Sequence, residues 1–89
     1  MNSVTTERFR KAYSKLPTNV KKAAKKAYKQ WQNNPSLPSL HFKKIHPAES
    51  IYSVRINLEY RALGVKQDDT MIWFWIGSHG DYDQLLNSL

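Results

Sequence analysis

The sequence holds no cysteine, which excludes disulfides and cysteine-ligated zinc and leaves no sign of an oxidising compartment. Glycine is almost as scarce, and the three present, Gly64, Gly77 and Gly80, form no phosphate-cradling loop. Long apolar runs are missing too. The longest, Met71 to Gly77, is far too short to span a bilayer, and the N-terminus is polar and helix-like, without the apolar stretch of a signal peptide. A cytoplasmic protein is therefore expected. Acidic residues are few: seven Asp and Glu stand against fourteen Lys and Arg, a formal charge of +7. Such a surplus suits a nucleic acid, an anionic membrane surface or an acidic protein as partner, although basic charge alone also serves solubility.

What is present bounds the fold. A chain of 89 residues has room for one modest core, so a single domain over residues 1–89 is expected. Hydrophobic residues make up 40% and aromatics 12%, with Trp31, Trp73 and Trp75 among them, enough to fold without metal or disulfide. The histidines His41, His46 and His79 match no usual zinc spacing, and neither metal nor cofactor is expected.

Thr5 or Thr6 can cap a first helix in which Phe9, Ala12, Tyr13 and Leu16 recur on one face. Pro17 suits the first turn of a second helix, whose apolar stripe runs Val20, Ala23, Ala24, Ala27, Tyr28, Trp31. The pair forms an αα-hairpin. Lys21, Lys22, Lys25, Lys26 and Lys29 give the second helix a cationic outer face, and the plainest reading of such a face is solvation. Its alanines suit close packing on a sheet and lack the bulky anchors of a membrane-surface helix. Asn33, Asn34 and Pro35 end it.

Leu40 and Phe42, alternating with His41 and Lys43, read as a short strand, and His46 to Ser50 as a turn. Tyr52, Val54 and Ile56 alternate with Ser53, Arg55 and Asn57, which puts a polar row carrying one arginine on the face away from the core. Tyr60 to Lys66 follows as the partner of a hairpin turning at Leu58-Glu59. The run Met71-Ile72-Trp73-Phe74-Trp75-Ile76 is apolar on both faces, as in a covered central strand. Tyr82, Leu85, Leu86 and Leu89 then repeat at helical spacing behind Asp81, a candidate cap. The expected class is α+β: an N-terminal αα-hairpin packed on a small antiparallel sheet of about four strands, with a short C-terminal helix.

The segments Tyr52-Ser53-Val54-Arg55-Ile56, Tyr60-Arg61-Ala62-Leu63 and Trp75 to Tyr82, with the two-helix start and the Leu16-Pro17 junction, resemble the RelE/ParE superfamily of toxins from bacterial type II toxin-antitoxin systems. No single piece is specific; their order and spacing are. The resemblance covers nearly the whole chain and implies a microbial RNase-like fold with helices on one face of the sheet and a basic concave site on the other. RelE-like relatives cleave mRNA within the ribosome, ParE-like relatives poison DNA gyrase, and both are restrained by an antitoxin, here expected to be acidic. The family's N-terminal strand is scarcely visible in Met1 to Val4.

Metal-free RNA cleavage needs a base for the 2′-hydroxyl, a cation for the crowded phosphate and an acid for the leaving oxygen. By resemblance, Arg55 matches a basic catalytic or phosphate-binding position and Arg61 belongs to the family's Tyr-Arg pair. His79 and Tyr82 resemble the terminal active-site element. Taken without the resemblance, Arg55 is an exposed strand arginine, Arg61 an ion-pair partner at the core rim, His79 an idle residue at a helix start and Tyr82 part of the core. His41, Lys43, Lys44 and Lys25 are candidate RNA-backbone contacts. Ser53 stands where relatives often carry a base, and no arginine accompanies His79. The leading expectation is a ribosome-dependent, metal-independent endoribonuclease. The alternatives are a gyrase inhibitor and a non-catalytic basic module that binds RNA.

Overall fold

The computed structural model describes residues 1–88. Leu89, the last member of the expected terminal stripe, lies outside the described residues. The elements run β1 (Asn2–Thr5), α1 (Glu7–Ser14), α2 (Thr18–Asn33), a 3₁₀ turn (Pro38–Leu40), β2 (Lys43–Lys44), β3 (Ile51–Arg55), β4 (Tyr60–Gln67), β5 (Thr70–Ser78) and α3 (His79–Ser88).

Local chemistry sets the helix ends. Of the two candidate caps it is Thr6 that works: its backbone is extended and its hydroxyl accepts the Phe9 N–H at 3.1 Å. Pro17 occupies the cap position of α2 rather than its first turn, and its carbonyl accepts from Val20 and Lys21 at 3.0 Å each. The expected Leu40–Lys43 strand is displaced. Leu40 is buried in the 3₁₀ turn and His41 adopts φ 46°, a left-handed conformation that no strand accommodates, so pairing begins only at Lys43.

The sheet has five strands in the order β1-β5-β4-β3-β2 and is mixed, since β1 lies parallel to β5 from Asn2↔Thr70 to Thr5↔Trp73. This corrects the expectation of an antiparallel sheet of about four. The missed strand has four residues and its one large apolar side chain, Val4, is half exposed at the sheet edge, so no alternation announces it.

Both helices of the hairpin cover one face. Val54, Ala62 and Ile76 form a row across β3, β4 and β5 that turns towards them and belongs to the main core with Ala24, Ala27 and Trp31. Trp31 meets Trp73 edge-on at 5.2 Å and Phe42 at 5.8 Å, and Phe42 stacks on Tyr52 at 5.1 Å. A bulge governs what reaches the other face. Leu63 pairs with Trp75 and its neighbour Gly64 with Trp73, leaving Phe74 as the extra residue. Trp73 therefore points to the helical hairpin and Trp75 to the outer face, and the two do not form one shared apolar surface. The outer face is itself partly covered. Leu63 is fully buried, Ser53 of the expected polar row is only 3% exposed, and α3 brings Tyr82 to 6.4 Å from Trp75. Two covered faces account for a β5 that is apolar on both sides. No helix among the described residues is long and apolar enough to cross a membrane.

Candidate functional site

Strand register builds the site. Arg55, Arg61 and Gly77 are partners across β3, β4 and β5, one row beyond the Ser53-Leu63-Trp75 row and on the same outer face. The hairpin beside them is shaped by Asn57, whose Oδ1 accepts the N–H groups of Glu59 and Tyr60 at 2.9 Å each. Arg61 braces this turn. Its Nη1 donates to the carbonyls of Asn57 at 2.6 Å and Tyr60 at 3.0 Å. The turn also receives the next element, because Glu59 O accepts the His79 N–H at 2.6 Å.

That bond ties the β3–β4 turn to the start of α3. No loop separates β5 from α3: the strand ends at Ser78 and the helix begins at His79. Nor does Asp81 cap the helix; it lies in the first turn and donates its N–H to Ser78 Oγ at 3.2 Å. From this start His79 projects half exposed, its Nε2 3.3 Å from Asp83 Oδ2, an ion pair when the imidazole is protonated. The His79 and Tyr82 rings are 6.0 Å apart. Tyr82 itself is 7% exposed and packs on Trp75, which leaves little of its ring for stacking on a base.

Charge is concentrated here. The Arg61 guanidinium is held below its ordinary range, chiefly by burial and then by repulsion from Arg55, while Tyr82 and Asp83 pull the other way. Arg55, Arg61, His79 and Tyr82 thus meet at one end of the outer face, with a cation pair on the sheet and a His-Asp pair on the helix. Asp83 and Asn57 were not singled out in the sequence. The four-residue spacing of His79 and Asp83 within one helix is the signal that identifies the first.

The other candidates lie apart. Lys43 pairs with Ser53 and so shares the outer face, whereas Lys44 pairs with Tyr52 and projects the other way; His41 is exposed just before them. Lys25 is on α2 beside Lys22, Lys26 and Lys29, in the helical layer on the far side of the sheet from the arginines. His46 shapes its turn, with Nδ1 accepting from Ala48 and Glu49 at 3.1 and 2.9 Å.

Comparison with solved structures returns the same fold. RelE in the RelB–RelE antitoxin–toxin complex from Methanococcus jannaschii is 23% identical with a TM-score of 0.73, over 92% of this chain and 96% of that one. YafQ from E. coli strain BL21(DE3) is 10% identical at a TM-score of 0.73, over 91% and 96% of the two chains. The archaeal RelE–RelB complex from Pyrococcus horikoshii OT3 contains a chain 14% identical at 0.70, over 89% and 94%. No curated protein matches by sequence. The profile of the ParE-like toxin domain matches residues 18–84, from the start of α2 into α3 and across the whole β3–β5 site. On that match, the chain belongs to the ParE-like toxin domain family.

Proposed function

We propose that this chain is the toxin of a type II toxin-antitoxin pair and acts as a metal-independent endoribonuclease on mRNA at the ribosome. The observation that carries the reading is the meeting of Arg55, Arg61, His79 and Tyr82 at one end of the outer sheet face. Attack of a 2′-hydroxyl on the adjacent phosphate concentrates negative charge on phosphoryl oxygens, and the Arg55–Arg61 pair supplies fixed positive charge for it. Arg61 is already anchored through Nη1, so it is oriented before substrate arrives. His79, half exposed and paired with Asp83, is suited to move the proton, and Tyr82 orients it from beneath. Lys43, with His41 exposed just before it, extends the basic surface along the sheet edge towards the RNA backbone, and Lys44 and the α2 lysines add to the chain's attraction for RNA.

The restraining partner is an acidic antitoxin. Support comes from the net charge of +7 and from the M. jannaschii and P. horikoshii structures, which are toxins bound to antitoxins. Gyrase inhibition is the second reading, favoured by the ParE-like description of the matching family. Primer-extension mapping on translating ribosomes tests the choice. Discrete cuts that vanish with Arg55→Ala support the nuclease, while intact mRNA together with trapped gyrase–DNA complexes would replace it with the second reading.

A further inference from the structure

The turn between β3 and β4 is held from within by one side chain, the Asn57 amide whose Oδ1 accepts the N–H groups of Glu59 and Tyr60. Leu58 at its tip is 76% exposed, so burial of that side chain does not shape the turn. Three carbonyls that the turn aims are then used by the site. Asn57 O accepts Arg61 Nη1 at 2.6 Å, and Tyr60 O accepts the same nitrogen at 3.0 Å together with the N–H groups of Ile56 at 3.0 Å and Asn57 at 3.4 Å. Glu59 O accepts the His79 N–H at 2.6 Å. The first N–H groups of a helix have no partner inside it, so this bond fixes where α3 begins. One turn therefore grips both the sheet half and the helix half of the site.

Both bonds from the Arg61 guanidinium leave from Nη1. The end-on fork, which needs Nη1 and Nη2 together, is thereby occupied, and the edge left for an anion is the side-on pair of Nε–H and Nη2–H. Among the described residues no protein acceptor meets Nε or Nη2. We propose that Asn57 is a positioning residue for RNA cleavage: its turn presents the Nε–Nη2 edge of Arg61 to the scissile phosphate and, through Glu59 O, sets His79 in the same frame. Asn57 acts through these two residues rather than on the RNA. The effect on rate rests on the nuclease reading, whereas the positioning itself rests on the bonds of the turn.

Asn57→Ala removes the acceptor and Asn57→Asp keeps it, because either Asn or Asp can bond the backbone just ahead of it in a turn. Amide hydrogen exchange, the NMR signal of Arg61 Nε–H and single-turnover cleavage on saturated ribosomes are measured for wild type and both variants, with Leu58→Ala as the control in the same turn. In Asn57→Ala the His79 amide should exchange about tenfold faster or more while the amides of β4 and β5 stay protected, and the Arg61 Nε–H signal should move. Cleavage should slow about tenfold or more with ribosome affinity unchanged, the mark of lost orientation rather than lost binding. Asn57→Asp and Leu58→Ala should stay within about threefold of wild type in exchange and in rate. The proposal is overturned by an Asn57→Ala variant that exchanges or cleaves like wild type, or by an Asn57→Asp variant that loses as much as Asn57→Ala. Exchange quickened throughout the sheet also overturns it, because Asn57 would then serve the fold alone. Wild-type protein that leaves mRNA intact rejects the nuclease reading instead, and the His79 exchange with the Arg61 signal then decides whether the turn positions both groups.

Discussion

Arg55 and Arg61 are Cα partners across the β3–β4 hairpin, so two guanidinium groups leave the same face of the sheet side by side. Like charges placed directly opposite each other disfavour a sheet, and Arg61 carries that penalty together with partial burial. Because an arginine stays protonated at any working pH, the penalty has no pH window. A phosphate between the two would offset it. Arg55→Ala should therefore melt at or above the wild-type temperature while mRNA cleavage falls about a hundredfold. Thermal unfolding and single-turnover cleavage on one preparation check this; a lower melting temperature with cleavage retained would show that Arg55 serves the fold.

The helix side of the site separates into a proton carrier and its neighbour. His79→Ala should slow cleavage about a hundredfold, in the range for loss of an acid–base group. Asp83→Asn should cost less than about tenfold, because both side chains of the pair are half exposed and such pairs contribute little. Equal losses from the two variants in the same single-turnover assay would instead make the pair one functional unit.

Much of this geometry was legible in the sequence, and the gaps have physical causes. Alternation set Arg55 and the Val54 row on opposite faces correctly, because a half-buried strand writes its pleat into its side chains. The same rule leaves Ser53 open to solvent, whereas it is 3% exposed, a tertiary fact with no local trace. It would also have put Trp73 and Trp75 on one face, and the bulge at Phe74 separates them. β1 leaves little trace in the sequence because a four-residue edge strand needs little apolar character. The start of α3 lies ahead of the candidate cap because Ser78 and the Glu59 carbonyl, not Asp81, receive its first N–H groups.

Gly77 leaves room for the aromatic packing that covers the outer face. A Cβ there would lie 2.6 Å from Trp75 Cζ2 and 2.9 Å from Cη2, both on a rigid ring. Displacing the ring breaks its contact with Tyr82 and loosens the seat of α3 against the sheet. Gly77→Ala should destabilise the fold by about 1–3 kcal/mol, the usual cost of overpacking. Chemical denaturation measures it, and a variant as stable as wild type would mean that the indole moves aside freely.

The lysines of α2 make a different kind of prediction. This 16-residue helix has five lysines and no acidic residue, so its outer face repels itself at i, i+3 and i+4 spacing unless an anion approaches. Lys25 lies across the sheet from the arginines, too remote from the phosphate they hold to act on the chemical step. Lys25→Ala should accordingly weaken RNA binding at low salt and lower the slope of log affinity against log salt by up to about one. On saturated ribosomes the single-turnover rate should hardly change. Filter binding over a salt series, paired with single-turnover cleavage, separates the two effects. A slower chemical step in Lys25→Ala would mean that the helical layer, and not only the outer sheet face, reaches the scissile RNA.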